Sequence, residues 1–117
     1  MKTAIRSGDR YFGVEITPEG RLVVAERGQG RPGGLREYPA GPEGAQAFRA
    51  HVEEASDHPH VCIRACGAAA LGLATSLIPT PGVEVTLVTA QALAGAPAAG
   101  APGDRAERLA RLAERLF

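Results

Sequence analysis

VCIRACG, residues Val61 to Gly67, reads as a buried strand with an arginine at its centre. Apolar residues flank Arg64 on both sides, and a guanidinium taken out of water needs a partner. The element that supplies that partner decides which strands lie together.

Working outward from this stretch, Gly67 turns the chain into a helix of small residues, Ala68 to Ile78, whose lack of bulk suits tight packing on a sheet. Pro79-Thr80-Pro81-Gly82 stops it, and Val83 to Val88 forms another strand. Thr89 to Leu93 is expected to begin a short helical turn. AGAPAAGAPG, Ala94 to Gly103, is low in complexity and reads as a linker or mobile segment. Asp104 to Phe117 is the last helix. Leu109, Leu112 and Leu116 stack on one side of it, with Arg108, Arg111, Arg115, Glu107 and Glu114 on the far side.

Upstream, YFGVEIT (Tyr11 to Thr17) alternates. Phe12, Val14 and Ile16 share one face, and Tyr11, Gly13, Glu15 and Thr17 share the other. Pro18-Glu19-Gly20 is a turn signal, so Leu22 to Ala25 pairs back as a hairpin strand. GQGRPGG, Gly28 to Gly34, reads as a flexible hairpin tip; it lacks the Lys-Ser/Thr ending of a phosphate-binding loop. Leu35 to Tyr38 is a short third strand. Pro42 opens a helix running to about Ala55, with Ala45, Phe48 and Val52 at helical spacing. The VCIRACG strand, from His60 to Cys66, is then the fourth. Three antiparallel strands followed by βαβ crossovers predict an α/β, RNase H-like domain spanning residues 1–117: a five-stranded mixed sheet with helices on its faces.

Composition narrows the function. Lys+Arg and Asp+Glu are equal at 13 each, which disfavours strong nucleic-acid binding by the domain as a whole and leaves room for a local basic face. Aromatic residues are 4% with no Trp, so a base-stacking surface is not expected. MKTAIRSGDR has no apolar run behind its lysine, and Ala68 to Ile78 is too short to span a bilayer; a cytoplasmic protein with no membrane partner is expected. Cys62 and Cys66, four apart on one strand, would lie about 13 Å from each other. That is too far for a disulfide, so both read as reduced thiols. His51, His58 and His60 near Asp57 read as part of a polar helix-to-strand loop rather than a metal site.

Two charges fall inside otherwise apolar strands: Glu15 between Val14 and Ile16, and Arg64 between Ile63 and Ala65. In an RNase H-like sheet these strands are parallel neighbours at the centre, so the two can neutralise one another. Asp104 and Glu107 open the last helix three residues apart, on similar sides and where the helix dipole favours acids. Three carboxylates, from Glu15, Asp104 and Glu107, are therefore expected around one guanidinium.

With these segments in order, the chain resembles the N-terminal nuclease domain of the DEDD-type insertion-sequence transposases, the group that includes the Piv DNA invertase. Those domains are RuvC-like. GVEIT (Gly13 to Thr17) is similar to their first-strand G-I-D-V-S, with Glu15 in the aspartate's place. RACG (Arg64 to Gly67) is similar to their fourth-strand E-A-T-G, with Arg64 replacing the glutamate. GDRAERLA (Gly103 to Ala110) is similar to T-D-R-x-D-A, with Asp104 kept and Glu107 for the second aspartate. The resemblance implies four carboxylates holding divalent ions for attack on a DNA phosphodiester. Three of the four positions differ here. Arg64 sets a fixed positive charge where Mg²⁺ or Mn²⁺ would have to bind. At 4 Å two unit charges interact by about 4 kcal/mol at an effective dielectric of 20, and a divalent ion feels about twice that.

The expectation is a degenerate, catalytically inactive domain that needs no cofactor, lacks the family's downstream serine domain, and has a binding or regulatory role, for instance in DNA transposition or recombination. Glu15, Arg64, Asp104 and Glu107 are its vestigial active-site positions. Arg108, Arg111 and Arg115 are candidate contacts for weakly bound nucleic acid, and a second copy or a full-length transposase is a candidate protein partner. The alternative is a metal-dependent DNA nuclease or transposase domain using Mg²⁺ or Mn²⁺ through altered carboxylate ligands, with Arg64 swung outward onto a phosphate. An actin-like ATPase lobe fits poorly, because Thr17-Pro18-Glu19 follows the acid where a glycine should admit phosphate.

Overall fold

A computed structural model describes residues 9–28, 30–65, 67–89 and 102–116. Its strands are β1 (Asp9–Ile16), β2 (Leu22–Gly28), β3 (Arg31–Tyr38), β4 (His58–Arg64) and β5 (Glu84–Val88). Its helices are α1 (Pro42–Ala55), α2 (Ala68–Leu77) and α3 (Pro102–Leu116). The strands form one sheet in the order β3-β2-β1-β4-β5. β1–β2 and β2–β3 pair antiparallel, while β1–β4 and β4–β5 pair parallel. This is an α/β fold of the RNase H-like kind.

Alternation along β1 assigns its two faces. Phe12, Val14 and Ile16 join Leu22, Val24, Val61 and Ile63 beneath α1 (Phe48, Val52) and α2 (Ala70, Leu73, Leu77). Tyr11, Gly13 and Glu15 face the other way, under α3. With helices on both sides, β1 and β4 are buried on both faces, as central parallel strands require. The RNase H-like expectation, the hairpin and the limits of α1 all match the structure.

Gly13 decides how close α3 comes. A Cβ added there would overlap the Ala106 carbonyl oxygen and the Ala110 amide nitrogen, and would lie 2.7 Å from the Leu109 Cβ. The helix backbone therefore rests almost directly on β1. Ala106, Ala110 and Ala113 are fully buried beside Leu109, while Leu112 is partly buried and Leu116 is exposed. The leucine stripe expected from spacing is thus only partly the buried face. Helix and strand are too close for more bulk, so alanines fill the seam.

The segment from Arg31 to Gly34, expected in a hairpin tip, belongs to β3. Glu26 pairs with Gly34 and Arg27 with Pro32, so Gly33 is the extra residue of a bulge. Proline, glycine and a bulge are tolerated together at a sheet edge, where the outward N–H has no ladder to serve. His60 stands in β4, within the expected fourth strand, and His58 belongs to that strand as well rather than to a loop, since the strand starts at His58 opposite Asp9. Pro102 and Gly103, read from sequence as linker, form the first turn of α3. The rest of that linker, residues 90–93 of the turn expected over Thr89 to Leu93, and Cys66 lie outside the described residues.

Gly13→Ala is expected to destabilise the domain by about 3 kcal/mol or more, because backbone rather than a flexible side chain must move. Urea unfolding of this variant beside the wild type measures the difference.

Candidate functional site

Glu15 is the penultimate residue of β1 and lies on the α3 face. The parallel register sets Gly13 opposite Cys62 and Val14 opposite Ile63. One step further along, Glu15 and Arg64 stand side by side at the carboxyl ends of the strands. Gly67, at φ 98°, then turns the chain from β4 into α2, a backbone conformation suited to glycine. Arg64 Nη1 donates to Glu15 Oε2 at 2.9 Å. α3 contributes a second cation, with Arg105 Nε 3.2 Å from the same oxygen.

The Glu15 side chain is only 3% exposed, whereas both guanidiniums are partly exposed. The carboxylate is desolvated, and the two cations run from it to the surface, keeping part of their hydration. Glu15 Oε1 is buried and accepts no hydrogen bond from a described residue. Two guanidiniums on one carboxylate leave the cluster with a formal charge of +1.

The expected stoichiometry is thus inverted: one carboxylate lies between two guanidiniums, rather than three carboxylates around one. The phase of α3 explains why. Each residue advances the helix by about 100°. With Ala106 seated on Gly13, Asp104 is turned about 200° away and is exposed. Glu107 lies on one flank, half-buried, and Arg105 on the flank that meets Glu15. Among the described residues, neither Asp104 nor Glu107 forms an ion pair with Arg64. Arg105 sat in full view within GDRAE; the signal that would have found it is its phase relative to the small residues Ala106 and Ala110.

These residues do not fit a divalent cation. The one buried acid is already held by two cations, so Mg²⁺ or Mn²⁺ beside Glu15 would meet repulsion from both. Among the described residues no three His, Cys, Asp or Glu side chains are grouped to hold a metal ion.

Other polar groups on this side of the sheet serve packing. Arg27 Nε donates to Glu114 Oε1 at 2.9 Å, and the Gly30 amide donates to Glu114 Oε2 at 2.9 Å. The Arg27 hydrogen bond holds the Glu114 carboxyl below its usual range. Glu114 thus ties the β2–β3 turn to α3 instead of standing on the far side. Arg108, Arg111 and Arg115 are exposed along α3. The three histidines are dispersed: His51 meets Glu26 at 2.8 Å, His58 begins β4, and buried His60 stacks on Tyr11 with ring centroids 5.1 Å apart. Cys62 is a buried free thiol beneath Leu109 and Ala113, and burial pushes it up to about 11.

No protein-family model matches the chain, and no curated protein matches it. Among the described residues no helix is long and apolar enough to cross a membrane.

Removing both guanidiniums, as in Arg64→Met with Arg105→Leu, strands a buried carboxylate. It should destabilise the domain by about 3–5 kcal/mol. Each single substitution should cost less, since one cation remains, and a double-mutant cycle by chemical denaturation reads the coupling. In a Cys66→Ser background, Cys62 should stay unreactive to a thiol reagent at pH 8. The raised thiol is protonated there, and labelling should follow the rate of unfolding.

Proposed function

We propose that the chain is a non-catalytic RuvC-like domain related to the DEDD transposases, acting by binding or regulation in DNA transposition or recombination. One observation carries the reading: at the carboxyl ends of β1 and β4, Glu15 is clamped by Arg64 and Arg105. In the family this chain resembles, carboxylates would gather there around metal ions. Open α/β sheets generally use that end of the strands for their sites, and here it carries a fixed positive charge.

A domain that cannot hold catalytic ions can still hold a polyanion. Arg108, Arg111 and Arg115 recur at spacings of three and four along exposed α3, so they form one stripe. None of the three forms an ion pair with a described residue. The stripe supports weak, sequence-independent contact with nucleic-acid phosphates, in keeping with a chain whose formal charge is zero.

Calorimetric titration with Mn²⁺ should give no saturable binding at micromolar concentration, and duplex and branched DNA should remain intact in Mg²⁺ or Mn²⁺. Binding to a short duplex should weaken with salt at a log–log slope of about −2.7, for three phosphate contacts. The slope should flatten when Arg108, Arg111 and Arg115 are changed to Gln. Mn²⁺ binding lost in Glu15→Ala, or DNA cleavage lost in Asp104→Asn, would instead establish the metal-dependent nuclease.

A further inference from the structure

The two edges of the sheet are built differently. β3 carries Arg31, Pro32, Arg36 and Glu37 together with the bulge at Gly33, features that discourage a further strand from pairing. β5 (EVTLV) has no proline or lysine, and its one charge is Glu84 at the start. Of the five large hydrophobic residues exposed among the described residues, Leu35 lies on β3 and Leu116 ends α3, while the other three belong to α2, its C-cap and β5. Leu71 is 60% exposed, Ile78 69% and Leu87 40%.

These three residues share one border. Leu71 and Ile78 are seven apart and lie on one flank of α2. The opposite flank (Ala69, Gly72, Ser76) lines a groove against α1 at Pro42 and Ala45, so Leu71 and Ile78 look away from α1. Leu87 pairs with Ile63 and so lies on the same side of the sheet as α2. Between Arg64 and Glu84 the sequence has no charged residue.

The backbone of β5 is set for pairing as well. The Ala65 N–H donates to the Val88 carbonyl at 2.8 Å, so Val88, Thr86 and Glu84 turn their amides toward β4. Alternation then points the N–H and C=O groups of Val85 and Leu87 outward, where no described residue meets them.

We propose that a second copy of this chain docks here, with β5 pairing antiparallel to its mate about a twofold axis at Thr86. In that register Val85 lies opposite the mate's Leu87, and both pairs exchange two N–H···O=C bonds. Leu71, Ile78 and Leu87 of the two copies cover one another on the α2 side. Charge selects this occupant. A twofold contact sets each residue near its own copy, which a charged face would resist. Here Glu84 lies opposite Val88 of the mate and about 13 Å along the strand from the other Glu84.

Sedimentation equilibrium of the full chain at about 100 μM, a concentration that populates weak dimers, should show the dimer. Leu71→Lys with Ile78→Lys, both at exposed positions, should keep the wild-type circular dichroism and weaken association about tenfold or more. At the twofold axis the two Thr86 residues form a close, non-hydrogen-bonded pair with Cα atoms about 4.5 Å apart. Thr86→Lys and Thr86→Glu should therefore each be monomeric alone and form a one-to-one dimer when mixed. A wild type that stays monomeric overturns the proposal. So does association that persists in the lysine double variant or in either Thr86 variant alone, or an equimolar Thr86 mixture that stays monomeric.

Discussion

The close approach of α3 to β1 at Gly13 governs this molecule. A glycine on the strand and alanines on the helix let two backbones meet where side chains would ordinarily intervene. Close packing then leaves the helix one rotational setting, because turning it would drive Arg105 or Glu107 into the seam. That setting also fixes the electrostatics, since it selects which α3 residue reaches Glu15. A steric rule in the middle of the strand thus determines the chemistry at its end.

The cluster built on that setting is economical in charge. Glu15 is the one acid buried at the carboxyl ends of the central strands, and its two partners keep a path to water. Wholly buried ion pairs often stabilise no better than a well-packed apolar replacement, whereas a buried charge stripped of its partner is strongly destabilising. Glu15 and its arginines therefore make the joining of β1, β4 and α3 conditional on one another. The arrangement specifies which elements meet at that corner, whatever it adds to stability.

Much of this was legible in the sequence. The alternation of Phe12, Val14 and Ile16 against Tyr11, Gly13 and Glu15 gave the two faces of β1, and a lone arginine between Ile63 and Ala65 pointed to Glu15. Pro42 and the spacing of Phe48 and Val52 located α1. What was illegible depended on distance between elements. A leucine periodicity cannot reveal that Gly13 will draw α3 close enough to make alanines its principal contact. Helix phase follows from that contact, so Arg105 was overlooked and Asp104 and Glu107 were given too central a position. In the same way, glycine and proline at 32–34 signal irregular backbone but do not say whether it closes a turn or finishes an edge; the pairing of Arg27 with Pro32 is what decides.

The bulged, proline-bearing β3 has a consequence for how this protein behaves when crowded. A sheet that can grow from both borders is a monomer of a fibre, since each added copy offers a fresh template to the next. Blunting one border removes that recursion: in the proposed dimer, growth by strand addition would end after a single step, in a closed object of fixed size. In the proposed dimer, Pro32 and Gly33 would act as a chain terminator at the level of quaternary structure.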